Sequence, residues 1–546
     1  MMKRRSFIKN TSVGLGAVSQ LKVGKLNLSA FDTLYKVGEE NDNILVIVQL
    51  FGGNDGINTI IPKDWPDYYN RFRVKLNVPE KSSIPFGDPA KGLAMHPSLK
   101  NGVNDGLYGL FKSGKLSIIQ GVGYPNPNLS HFRSTDIWFA GVAPSNDGQS
   151  LPTGWLGRYF DQYKDKELPE SPYCIHVGES PLLLFQGKDT ENAILVEDPE
   201  DFFEQGKSVE SEKILLGEQN LFSEEFEYIN DIGFKINHFS KSVKAAFDSG
   251  KNTATYQESD LSNQLKLVAR LIDGGLKTKV YSVSLGGFDT HADQGVLGGV
   301  HGKLLHKLSG AIASFQSDLE SLGHSKKVVG VTVSEFGRRP YENASLGTDH
   351  GTANVMFAFG DEVKGKVFGE NIAFLPFYDN ENIVYRYDFR SIYQEILRTW
   401  FSSSSFLSDS VLGGKYPLIE NEGFLKNTIP DNTLPSQPVI PEINNDPRSP
   451  DNPYSPYNVT EQDVFQVWPN PTSDGKVTMR MVLFVAANVE VSQFDITGRP
   501  YGLLQKNTAY RAGAFIVNLT LKGGHGVYLL HIRANIRNHY LRVIKM

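Results

Sequence analysis

The chain contains four mostly apolar runs that each end in a polar, glycine-containing loop. They cover residues 44–51, 115–123, 278–287 and 327–334. Runs of this kind are typical of strands buried on both faces of a parallel sheet. Between them, apolar residues recur at every third or fourth position over 260–273 and 302–322, which predicts helices. Alternating strands and helices indicate a doubly wound, mainly parallel α/β domain over residues 43–426.

Residues 464–546 have a different period, in which apolar and polar positions alternate. The alternation is clear over 477–481 and 515–521, and turn residues separate such segments. This pattern predicts a small all-β sandwich. Before it, residues 427–457 contain eight prolines among Asn, Asp and Ser. A segment of this composition buries too little apolar surface to fold, so 427–463 is predicted to be a Pro-rich linker.

The charge of the chain is unevenly distributed. Residues 1–30 hold six Lys or Arg and no acid, and residues 463–546 hold ten Lys or Arg against four acids. Since the whole chain has a net charge of −6, the segment between them carries −18. An acidic body argues against a nucleic-acid partner and fits cation binding. The apolar runs fall short of the ~20 residues that cross a bilayer, so no transmembrane segment is expected.

The N-terminus has the features of an export signal. Arg4 and Arg5 precede Phe7, Lys9 and a mild, glycine-spaced stretch, which resembles a twin-arginine export signal. The alternative is a basic helix start. On the export interpretation residues 1–30 are a signal, and the protein is secreted or on the cell surface after passing through the periplasm. The single cysteine, Cys174, excludes an intramolecular disulfide and a thiolate zinc cluster.

The residues that follow the four predicted strands include many with metal-binding or nucleophilic side chains. They are Asp55, Ser130, His131, Asp289, His291, Glu335, Asp349 and His350. Because ligands bind beyond the carboxyl ends of parallel strands, these side chains are expected at one rim of the sheet. Carboxylates with imidazoles suit Zn²⁺ or Mn²⁺, and carboxylates alone suit Ca²⁺ or Mg²⁺. Each residue taken singly also fits an ordinary turn, cap or packing role.

Eight short motifs give a family resemblance that covers roughly residues 43–415. The motifs are 52–59 (GGNDGINT), 96–97 (HP), 124–132 (YPNPNLSHF), 154–158 (GWLGR), 287–291 (GFDTH), 334–338 (SEFGR), 347–351 (GTDHG) and 388–390 (DFR). In this order they resemble the bacterial domain of unknown function 1501 family, DUF1501. That family is similar to the alkaline phosphatase and sulfatase superfamily, which implies an alkaline-phosphatase-like sheet and a divalent metal.

The resemblance also implies roles for individual residues. The implied metal ligands are Asp55, Asp289, His291, Glu335, Asp349 and His350. The implied catalytic residues are Ser130 as nucleophile, Thr59 as the second candidate, and His131. Phe336 departs from the superfamily pattern, which has a histidine there, and so points to one metal or an altered site. Cys174 lacks the surroundings of a sulfatase formylglycine.

The C-terminal region resembles a second known family. Its motifs are 465–475 (FQVWPNPTSDG), 495–498 (DITG), 526–529 (GVYL) and a basic end with Arg542 and Lys545. Together they resemble the type A sorting domain of type IX secretion, which implies the export and type IX machineries as partners. The alternative is a carbohydrate-binding sandwich.

These observations lead to one main functional hypothesis and two alternatives. The main one is a secreted, metal-dependent hydrolase of phosphate or sulfate esters, acting on a small-molecule or glycan substrate. The first alternative is a non-catalytic surface protein that binds a glycan or another protein through the same fold. The second is a metal-binding scaffold whose chemistry was lost, as Phe336 suggests.

Overall fold

The computed structural model describes most of the chain beyond residue 40. The described residues are 41–142, 150–163, 168–178, 182–188, 190, 192–208, 221–371, 377–378, 382–428, 434, 464–468, 472–483, 487–495, 499–510, 513–534 and 537–545. They fall into two compact units, one holding 41–371 and 382–434, the other holding 377–378 and 464–545. The predicted export signal lies outside the described residues, as does the predicted linker apart from residues 427, 428 and 434.

The larger unit is built on a nine-stranded sheet. Its strands are β1 (Ile44–Leu50), β2 (Leu116–Gly123), β3 (Cys174–His176), β4 (Ala193–Leu195), β5 (Val280–Leu285), β6 (Val328–Val333), β7 (Asn354–Phe359), β8 (Val367–Phe368) and β9 (Tyr387–Asp388). Their spatial order is β8-β2-β7-β6-β1-β5-β3-β4, and β9 also pairs with β2. Central β1 runs parallel to both neighbours, with Leu45 opposite Val280 and Val329. The four predicted strands are thus present in a mainly parallel sheet.

Strand β7 runs against its neighbours. It pairs antiparallel with both β2 and β6. The residues that precede β7 therefore lie at the same edge of the sheet as the residues that follow β1, β5 and β6. Loops from both kinds of strand end meet at this edge, which we call the carboxyl edge.

Helices cover both faces of the sheet. They are α1 (Gly106–Lys112), α2 (His131–Ala140), α3 (Trp155–Phe160), α4 (Pro199–Ser208), α5 (Leu221–Ser249), α6 (Asp260–Asp273), α7 (Val300–Ser321), α8 (Phe389–Glu395) and α9 (Ser405–Leu412). The two predicted helices correspond to α6 and α7. Short strands at 60–62, 84–85 and 93–95 form a separate three-stranded sheet.

Alternate residues of β1 belong to two separate cores. Val46 and Val48 pack in one core with residues of α4, α5, α6 and α7. Leu45 and Ile47 pack in the other with residues of α2, α3, α8 and α9. Because both faces of β1 are buried, its run is apolar at nearly every position. The unit therefore has three layers, with the sheet between two layers of helices.

The smaller unit is all β. Its strands are β10 (Val464–Trp468), β11 (Lys476–Leu483), β12 (Ala487–Asp495), β13 (Pro500–Tyr510), β14 (Gly513–Thr520), β15 (Gly526–Ala534) and β16 (Arg537–Lys545). They form a three-stranded sheet, β10-β11-β14, and a four-stranded sheet, β13-β12-β15-β16. Residues of both sheets, among them Met479 and Ile532, share one core. The predicted all-β pattern is present.

No helix within the described part of the chain is long and apolar enough to span a bilayer.

Candidate metal centre

Four segments bring polar side chains to the carboxyl edge of the large sheet. His131 begins α2 in the loop region after β2, and Asp289 with His291 follows β5. Glu335 follows β6, and Asp349 with His350 precedes β7. Residues Arg338–Glu342 and Thr348–His350 pair as a short antiparallel ribbon between β6 and β7, with Arg338 opposite His350.

Three imidazole rings converge on the carboxylate of Asp289. The Nε2 atoms of His291 and His350 each lie 3.2 Å from Asp289 Oδ1. The Nε2 atom of His131 lies 3.4 Å from Asp289 Oδ2. The Nε2 atoms of His291 and His350 are 2.8 Å apart. A single carboxylate is therefore surrounded by three ring nitrogens.

In each of these rings the other nitrogen is held by an oxygen. His131 Nδ1 lies 2.7 Å from Glu335 Oε1, His350 Nδ1 lies 2.8 Å from the Leu129 carbonyl oxygen, and His291 Nδ1 lies 3.2 Å from Asp349 Oδ1. Ionised carboxylates and carbonyls only accept hydrogen bonds, so each Nδ1 donates. The Nε2 atom of a neutral ring is then unprotonated and free to bind a metal.

Asp289 is fixed from the other side by a buried arginine. Arg338 Nη2 donates to Asp289 Oδ1 over 2.8 Å, and the Arg338 side chain is fully buried. The same guanidinium donates to the carbonyls of Gly52, Gly53, Phe288 and Thr348. Arg338 therefore ties the loops after β1 and β5 and the ribbon strand Thr348–His350 to the carboxylate.

The protonation states of Asp289, Asp349 and His350 follow from their burial and their hydrogen-bond partners. Burial by itself raises the pKa of Asp289, but the hydrogen bond from Arg338 and the charge of that guanidinium outweigh it and bring that pKa to about 2. The hydrogen bond from Asn343 lowers the pKa of Asp349. Burial lowers the pKa of His350. At neutral pH both carboxylates are ionised and the His350 ring is neutral.

The residues present fit a divalent cation. One ligand atom each from His131, Asp289 and His350 lie within 4.8 Å of one another. The unprotonated Nε2 of His350 faces a carboxylate oxygen and a second imidazole nitrogen at hydrogen-bond distance, and a cation between them would satisfy these lone pairs. Buried Glu335 Oε2 also has no hydrogen-bond partner in the described part of the chain. Nitrogen and carboxylate ligands together suit Zn²⁺ or Mn²⁺.

Two glycines allow the loops to approach this closely. Gly52 and Gly53 both have positive φ, 117° and 75°. A Cβ atom on Gly52 would lie 2.3 Å from the Asp289 backbone nitrogen, and one on Gly53 would lie 2.5 Å from the Phe336 ring. The Gly52 backbone N–H also donates to Glu335 Oε1 over 2.9 Å.

Phe336 packs directly on two of the imidazoles. Its ring centroid lies 4.4 Å from that of His350 and 4.9 Å from that of His131. The side chain is buried and apolar, so it borders the cluster and supplies no ligand atom.

Asp55 and Thr59 lie in a separate, fully buried network. Arg73 donates to both carboxylate oxygens of Asp55, at 2.6 and 3.0 Å, and Gln294 donates to Oδ2 at 2.6 Å. Burial raises the pKa of Asp55, but Arg73 and His301 outweigh it and bring that pKa to about 2. Thr59 Oγ1 donates to the Asp55 carbonyl. The structure gives Asp55 an ion pair and does not bring it among the ligand atoms at Asp289.

Ser130 occupies the N-cap position of α2, directly before His131. Its side chain makes no capping hydrogen bond and is exposed. The preceding residue, Leu129, receives the His350 hydrogen bond, so Ser130 stands between two residues of the imidazole cluster. The assignment of Ser130 as nucleophile stays a prediction.

Sequence patterns assign no role to several residues that build this edge. Arg338 lies in the motif 334–338 without an assigned function, and Asn343, which donates to Asp349 Oδ1 over 3.0 Å, lies in none of the motifs. Arg73 and Gln294 were also missed. The sequence signal for Arg338 is its place in the motif 334–338, two residues after Phe336, but its partners come from distant loops.

Several solved structures show weak similarity to the chain. PorZ, an essential bacterial surface component of the type IX secretion system of Porphyromonas gingivalis, is 22% identical over 15% of this chain and 11% of its own, with a TM-score of 0.12. The lipoteichoic acid synthase LtaP of Listeria monocytogenes is 10% identical over 73% and 87% of the two chains, with a TM-score of 0.30.

A sulfatase of Pseudoalteromonas sp. is 9% identical over 92% of this chain and 85% of its own, with a TM-score of 0.30. TM-scores this low do not establish a shared fold. No curated protein matches the chain.

The family model described as a protein of unknown function, DUF1501, matches residues 118–413. This is just over half of the 546 residues. It includes the helix that begins with His131, the loop with Asp289 and His291, and the segment from Glu335 to His350. The chain belongs to the DUF1501 family.

Proposed function

We propose that the protein is a metal-dependent hydrolase of phosphate or sulfate esters. The metal ligands in this proposal are His131, Asp289 and His350, with His291 as a further ligand from the open side. The observation that carries it is the common orientation of the three rings, which each donate Nδ1–H to an oxygen and turn Nε2 toward Asp289. Oxygen partners of this kind fix the tautomer of a ligating histidine.

The chain's own residues have distinct tasks in this proposal. A bound divalent cation supplies Lewis-acid stabilisation of a phosphoryl or sulfuryl oxygen. Glu335 orients His131, and Arg338 holds Asp289 in place. The N-terminus of α2 presents backbone N–H groups and a partial positive charge to an anionic ester. Ser130, exposed at that terminus, is the candidate nucleophile.

The metal is tested first. Metal analysis of the purified protein should find close to one divalent ion per chain, with Zn²⁺ or Mn²⁺ favoured over Ca²⁺ and Mg²⁺. His131→Ala and His350→Ala should each lose that ion. His306→Gln, which alters an exposed histidine on α7, is the matched control and should retain it. Equal metal content in all four proteins would contradict the proposed site.

Activity is tested next with a panel of phosphate monoesters, phosphate diesters and sulfate esters. Ser130→Ala should abolish turnover and leave the bound metal in place, because Ser130 is not among the ligands. Turnover unchanged by Ser130→Ala would indicate direct attack by water, since buried Thr59 is already engaged with Asn54 and Asp55. A metal-loaded protein that cleaves nothing in the panel would favour the non-catalytic binding protein.

We also propose the targeting signals and the domain boundaries that the sequence indicates. Residues 1–30 act as a twin-arginine signal, 43–426 form the metal-binding domain, 427–463 link the domains, and 464–546 act as a type IX sorting domain. The order of motifs in 465–529 supports the sorting assignment over a carbohydrate-binding sandwich. On this proposal the protein is secreted or surface-bound by way of the periplasm.

A further inference from the structure

A large cleft opens beside the His131 side of the metal centre. Its volume is about 1520 Å³, and Phe51 and Phe132 are among its lining residues. The Phe51 ring centroid lies 5.7 Å from that of His131, and Phe132 follows His131 in α2. A ligand in the cleft can therefore extend to the imidazole cluster.

The charged groups that line this cleft all have one sign. Four carboxylates, those of Glu197, Asp198, Asp201 and Asp260, line it, and no lysine or arginine is among its described lining residues. We call it the acidic cleft. Asp198 accepts hydrogen bonds from backbone N–H groups at the start of α4. The other three carboxylates have neither an ion pair nor a hydrogen bond within the part of the chain that the structure describes.

The walls offer two further kinds of contact. Phe132 is 81% exposed and Phe51 is 38% exposed, so aromatic surface faces solvent beside His131. Phe139, Phe202 and Phe247 also line the cleft. His176 lines it as well, although this residue is only 5% exposed. Its Nδ1 atom has no hydrogen-bond partner among the described residues.

We infer that the acidic cleft binds a positively charged, amine-bearing part of the ligand. Unpaired carboxylates attract an ammonium group, and phenylalanine faces attract it through cation–π contact. The same charges repel a polyanion such as a multiply sulfated chain or a nucleic acid. Combined with the proposed hydrolase function, on which this step rests, the substrate is an ester whose alcohol carries amines.

The size of the cleft narrows the ligand class further. Ligand pockets for drug-sized molecules occupy roughly 300–1,000 Å³, so a cleft of about 1520 Å³ accommodates a longer ligand than a simple amino alcohol. An amino-sugar chain combines repeated ammonium groups with apolar ring faces that pack on phenylalanine. Amino-sugar oligomers with free amines are therefore the best probes.

Binding is tested without any ester. Calorimetric titrations should show glucosamine oligomers binding about tenfold or more tightly than N-acetylglucosamine oligomers of the same length at low salt, because several exposed charge pairs add. The preference should shrink as salt rises, since these charges are partly exposed. Equal binding of the two oligomers, or binding of neither, overturns the inference.

Variants then test whether the preference for free amines depends on the carboxylates of the acidic cleft. The double variant Asp201→Asn, Asp260→Asn should lose most of the preference for free amines. Glu197→Gln is a separate single variant, in case the pair disturbs the starts of α4 and α6. Glu370→Gln, an exposed carboxylate whose contact with Arg386 is 3.9 Å and which does not line the cleft, should keep the preference. Unaltered selectivity in the folded double and single variants overturns the assignment to this cleft.

Turnover measurements distinguish a failure of the inference about the acidic cleft from a failure of the proposed hydrolase function. Glucosamine 6-sulfate and N-acetylglucosamine 6-sulfate form one pair of test esters, and the matching 6-phosphates form a second. Within each pair the acetyl group turns a charged amine into a neutral amide. A higher kcat/KM for the free amine supports the inference, and equal values within both pairs overturn it while leaving the hydrolase intact. Selective oligomer binding without turnover of any ester supports the cleft and contradicts the hydrolase.

Discussion

Glu335 is the residue on which the orientation of His131 depends. One oxygen, Oε1, accepts from both His131 Nδ1 and the Gly52 backbone N–H, at 2.7 and 2.9 Å. The side chain is 1% exposed, so water does not compete for these hydrogen bonds. The sequence places Glu335 among the candidate ligands, and in the structure its Oε1 atom contacts the His131 ring. Its assignment as a ligand stays a prediction.

Glu335→Gln should weaken metal binding without unfolding the protein. The amide keeps an acceptor for His131 but loses the negative charge that strengthens the hydrogen bond from the ring. Loss of such a partner typically lowers metal affinity about 10- to 100-fold. A metal titration against a competing chelator measures the change. Glu370→Gln, on the surface, serves as the control, and an affinity within about twofold of the native value would argue that Glu335 does not act through His131.

The sequence predicts that a polar side chain lies at the edge of the sheet where that residue directly follows a strand. Asp289, His291 and Glu335 were placed in this way, and they do lie together. The role of Asp55 was not predictable, since the sequence marks it as a polar residue after a strand just as clearly. Its behaviour is decided by Arg73, which reaches both of its oxygens from a separate loop. Partner choice of this kind depends on tertiary contacts that local patterns do not contain.

At the scale of elements, the Gly52–Gly53 turn sets how near the loop after β1 comes to the loop after β5. Gly52→Ala should push these loops apart, because its Cβ would meet the Asp289 backbone nitrogen at 2.3 Å and φ is +117°. We expect loss of the bound metal with near-native circular dichroism. Gly286→Ala is the matched control, since its Cβ meets nothing within 4 Å. Metal binding that survives Gly52→Ala would show that the cluster tolerates a displaced Asp289.

The end of α8 carries a pH-dependent contact. Glu395 is fully buried and accepts from the backbone N–H groups of Phe424 and Leu425 and from the Thr428 hydroxyl. Burial raises the pKa of Glu395 from 4.5 to about 7, although these hydrogen bonds oppose the rise. The folded state therefore binds this proton more tightly than the unfolded state does.

The stability that this proton contributes is fully present below pH 4.5 and is lost as the pH rises through 7. The loss is about 3 kcal/mol at most. Melting curves at pH 5 and pH 8 should show a smaller change for Glu395→Gln than for the native protein, even if the variant is less stable overall. Identical pH dependence in the two proteins would contradict the assignment.

The main strands and two helices could be read from the sequence because continuous apolar runs and a period of three to four are local signals. The direction of β7 could not. An apolar run predicts a buried strand whichever way the chain passes through the sheet, and Asn354–Phe359 was not among the four predicted runs. Its reversal depends on the turn between Glu342 and Thr348, which has no counterpart in apolar periodicity.

For the whole molecule, each unit has a hydrophobic core of its own. The large unit has its cores on the two faces of the sheet, and the small unit has one between its two sheets. Deleting 464–546 should therefore leave the 31–426 body folded, with unchanged metal content, while the truncated protein accumulates in the periplasm. Fractionation and metal analysis test both statements. A body that unfolds on truncation would contradict the proposed domain boundaries.

Export itself is tested at the other end of the chain. Replacing Arg4 and Arg5 together by lysine should leave the precursor in the cytoplasm, because lysine retains the charge but not the twin-arginine motif. Immunoblots of separated compartments measure the outcome, with Lys22→Arg, Lys25→Arg as the charge-conserving control. Undiminished export of the lysine variant would contradict the signal assignment.

The reversed direction of β7 also bears on how this family can diversify. The chain leaves the sheet after β6 and returns to it at β7 on the same edge, so residues 334–353 form an excursion that starts and ends beside the cluster. Insertions near the tip of that excursion, at the exposed residues 344–346, lengthen a surface loop without shifting any core strand. Relatives with different substrates are therefore expected to differ in length at this tip, and loops exchanged between them there offer a direct route to altered specificity.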